Sequence, residues 1–350
     1  MEAISSSIAN CTVNELPITL NSGSRSHPIV MACDERYAMP LAVTLRSMAE
    51  ANRSERAFEI VILTDEFSSL MKSRVEASVP EGKLTFHWVQ VDLARFADCS
   101  GMLAHTSKLT YARLLLPYVL PQSVEKVLYL DSDILVLDDL QTLLRLDLQG
   151  SLLGAVVDLD SSENAERLGL KAQGSDTDLD VRAPESRGKY FNAGVLLVDL
   201  ASWRDQQISE KAMQYLSEYP HAPLSDQDAL NVVCAAQWKP LDSRWNAQKH
   251  EHGAHPGEWA GRRAAIVHFC GSSKPWIASR LPASGPFYDE YRARTRFART
   301  KTDKIRDIVQ AVFTRVKRTI KQVELVSMLH AYFRETRATW RSESHNRSRA

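Results

Sequence analysis

The stretch KVLYLDSDILVLDDL, residues 126–140, decides the fold. Val127, Leu128 and Leu130 make an apolar run, Asp131 and Asp133 interrupt it, and Ile134, Leu135, Val136 and Leu137 resume it. Apolar residues closing on both sides predict a buried strand that carries two carboxylates to its tip. A turn just past such a strand lets both converge on one hard divalent ion. The spacing alone is weak evidence, because Asp is also common in solvated turns. Asp138 and Asp139, further along, read as a surface turn.

Outward from this stretch, strand-like runs alternate with helical patterns. HPIVMACD (27–34) precedes PLAVTLRSMAEAN, in which Leu41, Leu45, Met48 and Ala49 recur at helical spacing behind Pro40. Next come FEIVILTD (58–65), a helical stretch from Ser68 to Ala77, KLTFHWVQVD (83–92), and YARLLLPYVL, read as a helix ended by Pro121. LLGAVVD (152–158) and YFNAGVLLVDL (190–200) follow the opening stretch. Strands alternating with helices over about 200 residues predict an α/β domain with a mostly parallel sheet. Ligands collect beyond the carboxyl ends of such strands, where Asp34, Asp65, Asp92, Asp131 and Asp158 fall. Turn and N-cap preference suffices for Asp65 and Asp92. Residues 161–188 are polar and nearly aperiodic, which predicts a long loop, either disordered or a substrate-side lid.

The 350 residues are 44% apolar and 25% charged, as in an ordinary globular chain. No stretch approaches the roughly 20 apolar residues of a spanning helix. Residues 1–26 lack a basic region followed by an apolar one and read as a flexible leader. Five widely spaced cysteines without Cys-x-x-Cys argue against a disulfide framework or structural zinc and fit a reducing cytosol. The net charge of zero hides an asymmetry: from Arg292 onward roughly sixteen Lys and Arg face five acids. Ile305, Ile308, Val309, Val312, Phe313, Val316, Ile320 and Val323 form one stripe there. That stripe suits either a core-packing helix or a basic amphipathic helix on anionic lipid, aided by Tyr332, Phe333 and Trp340.

No G-x-G-x-x-G follows the first strand, which disfavours a dinucleotide oxidoreductase, and there is no Walker loop or G-x-S-x-G. Far downstream, AIVHFCGSSKPW (265–276) offers His268, a glycine turn at Gly271 and Lys274. An oxygen-rich pair with an imidazole suits Mn²⁺ or Mg²⁺, and a lysine beside backbone N–H groups suits a diphosphate. Singly, His268 is as well a core histidine and Lys274 a surface charge.

At these residues the sequence resembles glycosyltransferase family 8, the retaining, metal-dependent sugar transferases. It is most similar to the bacterial galactosyl- and glucosyltransferases that extend lipopolysaccharide or lipooligosaccharide. The matching stretches are IVMACDERYAMPLAVTLRSM, TYARLLLPYVLP, KVLYLDSDILVLDDL, LLGAVVD, YFNAGVLLVDLASWR, SDQDALN, RWN and VHFCGSSKPW. They run in family order from about residue 28 to 277. The resemblance implies a single Rossmann-like nucleotide-sugar-binding domain of the GT-A type over residues 27–290. The basic, amphipathic helical tail then occupies 291–350.

The resemblance also implies roles. Asp131, Asp133 and His268 would be the Mn²⁺ (or Mg²⁺) ligands. Asp34, the backbone at Ala32 and Cys33, and the Tyr37 ring would hold uracil and ribose, with Ser132 contacting ribose. Gly271 and Lys274 would bind the diphosphate. Arg113, Asp158, Asn192, Asp226 and Gln227 would surround the donor sugar. Two readings stay open: Ser225 with Asp228 as a helix cap, and FNAG as a turn. Glu35-Arg36 stands where some relatives have Asp-Asn, which leaves Arg36 outside the site. Residues 160–190 match poorly.

The implied enzyme moves glucose or galactose from a UDP-hexose to a saccharide or glycolipid acceptor, in lipopolysaccharide or other cell-surface glycan synthesis. It would be cytoplasmic, with the tail peripheral on the inner membrane face. Gln227 would face the anomeric carbon, and a neutral amide is a poor nucleophile, so front-face attack is expected. Asp226 and Asp228 are the carboxylates to suspect if a covalent intermediate forms. Two alternatives compete. A haloacid-dehalogenase-type phosphohydrolase also uses D-x-D, but on its first strand and with Thr or Val where Leu135 stands. A non-catalytic, membrane-associated nucleotide-sugar-binding protein fits less well with a complete metal and diphosphate set. No nucleic-acid-binding fold accompanies the basic tail.

Overall fold

The apolar runs become strands buried on both faces. The computed structural model describes residues 27–96, 107–170, 185–248, 258–259, 262–271, 274–277 and 285–306, with Leu20 and single helical positions up to 319. The strands are β1 Ile29–Ala32, β2 Phe58–Thr64, β3 Leu84–Gln90, β4 Lys126–Leu130, β5 Ile134–Val136, β6 Leu153–Val157, β7 Phe191–Asp199, β8 Trp238–Pro240, β9 Ala247–Gln248, β10 Glu258–Trp259, β11 Arg262–Arg263 and β12 Ile266–His268. Seven of them form one sheet in the order β3-β2-β1-β4-β7-β6-β8. It is mostly parallel; β7 alone runs against its neighbours β4 and β6.

Alternate residues of each central strand enter two cores. Val30, Val61 and Tyr129 pack on one side with Leu114, Trp203 and Leu230. Ile29, Met31, Ile62 and Leu130 pack on the other with Leu41, Leu45 and Met48 of the helix Ala38–Ala51. This two-sided burial explains runs that are apolar throughout rather than alternating.

The chain winds from β1 through β2 to β3, then crosses back to place β4 on the free side of β1. The crevice at the carboxyl ends of β1 and β4 is therefore the topological switch point. A second sheet, β5-β12-β9, stands beside it. Within that sheet His268 lies opposite Ile134, and the Phe269 N–H donates to the Asp133 carbonyl at 3.1 Å. That pairing brings residues more than 130 positions apart to the same edge.

Three local expectations change. YARLLLPYVL lies mostly in a 3-10 run, Lys108–Leu115, and is α-helical only over Leu116–Val119, where Pro117 fits the first turn. Residues 161–167 of the expected loop form a helix, while 171–184 lie outside the described residues. FNAG is not a turn but the start of β7.

Residues 1–274 and 282–298 cluster as one compact unit, and 275–281 with 299–350 as another. The first unit already includes part of the basic run. Arg294 pairs with Glu50 at 2.5 Å, and Arg74 donates to the Arg296 carbonyl at 3.0 Å. In the second unit Ile305, Ile308, Val309, Val312, Phe313 and Val316 are described at helical positions with exposed side chains. The leader apart from Leu20, and the stripe beyond 319 with Tyr332, Phe333 and Trp340, lie outside the described residues.

Candidate active site

At the switch point the chain leaves β1 through Ala32, Cys33 and Asp34. Asp34 caps the short turn Glu35–Tyr37 by accepting from the Tyr37 N–H at 3.2 Å. Its other oxygen accepts from Arg36 at 2.7 Å, although the Arg36 side chain is 82% exposed. Beyond β4 the turn Asp131–Ser132–Asp133 is held from below by the helix Ala38–Ala51. Thr44 Oγ1 donates to the carbonyls of Ser132 (3.0 Å) and Ile134 (2.7 Å), and Ser47 Oγ accepts from the Val136 N–H at 2.9 Å. Both hydroxyls are fully buried. A helical register of apolar residues gave no sign of this task.

All fifteen residues expected at the site line one cavity of about 370 Å³. Ala32, Cys33, Asp34 and Tyr37 stand along β1 and its following turn. Asp131, Ser132 and Asp133 follow β4, His268 ends β12, and Gly271 and Lys274 follow it. Arg113, Asp158, Asn192, Asp226 and Gln227 come from the other side. Ser107, Thr110, Asp160 and Asn164 also line it, four residues that the motifs do not single out.

Asp131, Asp133 and His268 each offer a ligand atom within 4.8 Å of the others. His268 Nε2 lies 3.3 Å from Asp133 Oδ1 and 3.8 Å from Asp131 Oδ2. Two carboxylates and one imidazole fit a hard to borderline divalent cation, Mn²⁺ or Mg²⁺, rather than a thiophilic one. Lys274 Nζ donates to Asp133 Oδ2 and to the Phe269 carbonyl, and its side chain is 9% exposed. Burial works against the Asp133 charge, yet Lys274 and His268 hold its carboxyl well below the usual carboxylate range. Burial likewise works against a charge on His268, but the Cys270 sulfur and Asp133 raise its basicity well above that of ordinary imidazole.

Toward the sugar end, Arg113 donates through Nη2 to Asp131 Oδ1 and through Nη1 to the Ala193 carbonyl. Its Nε stands 2.9 Å from Asp226 Oδ2. Thr110 Oγ1 donates to the other Asp226 oxygen at 2.7 Å. Burial nevertheless pushes the Asp226 carboxyl up, Arg113 only partly opposing it. Gln227 Oε1 accepts from the Ala193 N–H at 2.9 Å. Asp158 Oδ2 accepts from Asn192 Nδ2 at 3.0 Å and from Gln227 Nε2 at 3.4 Å.

Asp228 is arranged differently. Its wholly buried carboxylate accepts from Arg167 (2.7 Å), Tyr190 Oη (2.6 Å) and the Leu224 N–H (3.1 Å). It ties the helix Ser161–Arg167 to the helix Ser225–Val233 and is not among the cavity-lining residues. The Leu224 bond makes it a reaching-back partner at that helix's start, where Leu224 rather than Ser225 occupies the N-cap. The acids read as turns behave so: Asp65 accepts from Glu66 N–H, Asp92 from Ala94 N–H, and Asp139 from Gln141 N–H. Among the described residues Cys33, Cys234 and Cys270 are free and buried.

This fold and this crevice define a glycosyltransferase of the GT-A type. The chain belongs to glycosyl transferase family 8, whose family model matches residues 28–279. It is 30% identical over 277 residues to General stress protein A of Bacillus subtilis (strain 168), covering 75% of this chain and 91% of that protein. Lipopolysaccharide 1,2-glucosyltransferase of Escherichia coli (strain K12) is 24% identical over 270 residues, 74% of this chain and 75% of that one. Among solved structures, the galactosyltransferase LgtC in complex with donor and acceptor sugar analogues is similar with a TM-score of 0.64. The identity there is 27%, covering 77% of this chain and 96% of LgtC.

Proposed function

We propose that this glycosyltransferase moves a hexose, glucose or galactose, from a UDP-sugar to a saccharide or glycolipid acceptor, with retention of anomeric configuration. The observation that carries the proposal is the meeting of Asp131, Asp133 and His268 at the switch point, with Lys274 on one side and Gln227 on the other. Ala32, Cys33, Asp34 and Tyr37 line the end assigned to uridine, with Ser132 beside the ribose. A divalent cation bound by the triad, Mn²⁺ or Mg²⁺, supplies Lewis-acid stabilisation of the diphosphate, worth several kcal/mol of barrier. The Lys274 ammonium and the backbone at Gly271 bind the same diphosphate charge. Arg113 stays a cation between Asp131 and Asp226, and Asp158, Asn192 and Gln227 surround the sugar.

Retention requires a protein nucleophile or attack from the face the leaving group vacates. The Gln227 amide is neutral and already engaged by Ala193 and Asp158, Asp226 is held by Thr110 on one oxygen and Arg113 on the other, and Asp228 is enclosed by three donors. Front-face attack follows. The acceptor oxygen bonds to the anomeric carbon as the bond from that carbon to the β-phosphate oxygen breaks, and the acceptor's proton passes to the departing phosphate. The name of one relative supports lipopolysaccharide as the acceptor, and the acceptor sugar analogue bound to LgtC supports a saccharide acceptor more generally.

The test is a panel of UDP-sugars with Mn²⁺, scored by UDP release and then by transfer to candidate acceptors. Asp131→Ala and Asp133→Ala should abolish both transfer and cation-dependent UDP binding. Full turnover by either variant in EDTA would sink the metal assignment. Failure of every UDP-hexose would sink the donor assignment. The basic charge and exposed apolar stripe of the tail support peripheral attachment to the inner face of an anionic membrane. No helix of the described residues is long and apolar enough to cross a membrane. Equal flotation on anionic liposomes by the full chain and a truncation at Arg299 would remove that support.

A further inference from the structure

We infer that Asn246 and Gly194 are positioning residues of the cation site, and that Asn192 joins that site mechanically to the sugar end. The inference rests on the functional reading above and concerns residues to which that reading gives no role at the cation.

His268 is 4% exposed at the end of β12. Its Nδ1 stands 3.0 Å from Asn246 Oδ1, an atom that can only accept, so Nδ1 carries the hydrogen. Nε2 is then the ring atom turned toward Asp131 and Asp133. The other end of the Asn246 amide donates to Asn192 Oδ1 at 2.9 Å, which determines which end of the amide meets the histidine. Asn192 Oδ1 also accepts from the Gly194 N–H at 3.0 Å, and Asn192 Nδ2 donates to Asp158, the carboxylate that Gln227 also reaches. An unbroken chain of buried amides thus runs from the imidazole to the groups around the donor sugar.

Gly194 supplies the space for this. A Cβ at that position would stand 2.2 Å from His268 Cε1, 2.8 Å from His268 Nδ1 and 2.8 Å from Asp131 Oδ2. A ring pinned at both nitrogens cannot retreat as a flexible side-chain end would. Meanwhile the Gly194 carbonyl accepts from the Asp131 N–H at 2.9 Å. The glycine therefore carries one ligand by its backbone and admits another by lacking a side chain.

The test measures Mn²⁺ binding by electron paramagnetic resonance in the presence of UDP, alongside thermal melting and transfer kinetics. Asn246→Ala and Gly194→Ala should weaken Mn²⁺ about 10- to 100-fold, the range for partners that orient metal ligands. Asn246→Asp keeps an oxygen for Nδ1 but loses the donor to Asn192. It should hold Mn²⁺ within about threefold of wild type while kcat falls with little change in KM. Should Gly194→Ala fail to fold, the two Asn246 variants carry the test. Wild-type Mn²⁺ affinity in Asn246→Ala, or equal loss of affinity in Asn246→Asp and Asn246→Ala, overturns the inference. Absence of Mn²⁺ binding by the wild type overturns the functional reading and, with it, this one.

Discussion

Arg113 donates through Nη2 to Oδ1 of Asp131 at 2.9 Å, with its own side chain 5% exposed. The same guanidinium stands against Asp226 and the Ala193 carbonyl, so one buried cation ties the Asp131–Asp133 turn to β7 and to the helix Ser225–Val233. Replacing it by Leu leaves buried Asp226 and part-buried Asp131 without their compensating charge. Arg113→Leu should lose about 3 kcal/mol of stability or more in urea unfolding. Loss below 1 kcal/mol would mean that Asp226 is compensated elsewhere.

The Thr44 hydroxyl is shared between the Ser132 and Ile134 carbonyls at the Asp131–Asp133 turn. Thr44→Val preserves shape and removes both bonds, at a cost of about 2 kcal/mol. Cation-dependent UDP binding should weaken more than the melting temperature suggests, because the lost bonds hold the turn itself. Calorimetric titration of UDP with and without Mn²⁺ separates the two effects.

Lys274 donates to the Asp133 carboxylate, which is also one of the three candidate cation ligands, so a bound cation would have to share it. Lys274→Met should therefore leave Mn²⁺ affinity unchanged or higher while UDP affinity falls by about tenfold, the loss of one charge-assisted contact. Parallel loss of both would place Lys274 in support of the metal ligands instead.

Burial raises the Asp226 carboxyl, so the folded protein binds that proton more tightly than the unfolded chain. Stability from this group is present at acid pH and declines as pH rises from the unfolded carboxylate range through the raised folded value. Asp226→Asn retains an acceptor for Thr110 and removes the titration. The variant should gain stability relative to wild type between acid and neutral pH while transfer falls. A constant difference across that range would contradict the sign.

Local chemistry makes the sheet legible in the sequence itself. Two-sided apolar runs such as FEIVILT and FNAGVLLVD, punctuated by acids and separated by helical periodicity, specify a buried, mostly parallel sheet. An acid pair at a strand's end marks its ligand edge. The ordered motifs, read as a resemblance, brought together the residues that line the cavity. The 3-10 character of 108–115 was hidden because its apolar spacing resembles that of an α-helix. Asp228 looked like a catalytic candidate because spacing cannot tell an acid enclosed by Arg167 and Tyr190 from one facing a cavity. Thr44, Gly194 and Asn246 were invisible for a related reason. A hydroxyl in a helix, a glycine in a strand and an amide in a short turn acquire their tasks only from neighbours brought in by the β5–β12 and β4–β7 pairings. Sequence alone determined which groups the chain owns and the periodicity that buries its strands. Tertiary structure alone decided which of those groups touch, because hydrogen bonds reach about 3 Å and no spacing along the chain encodes that distance.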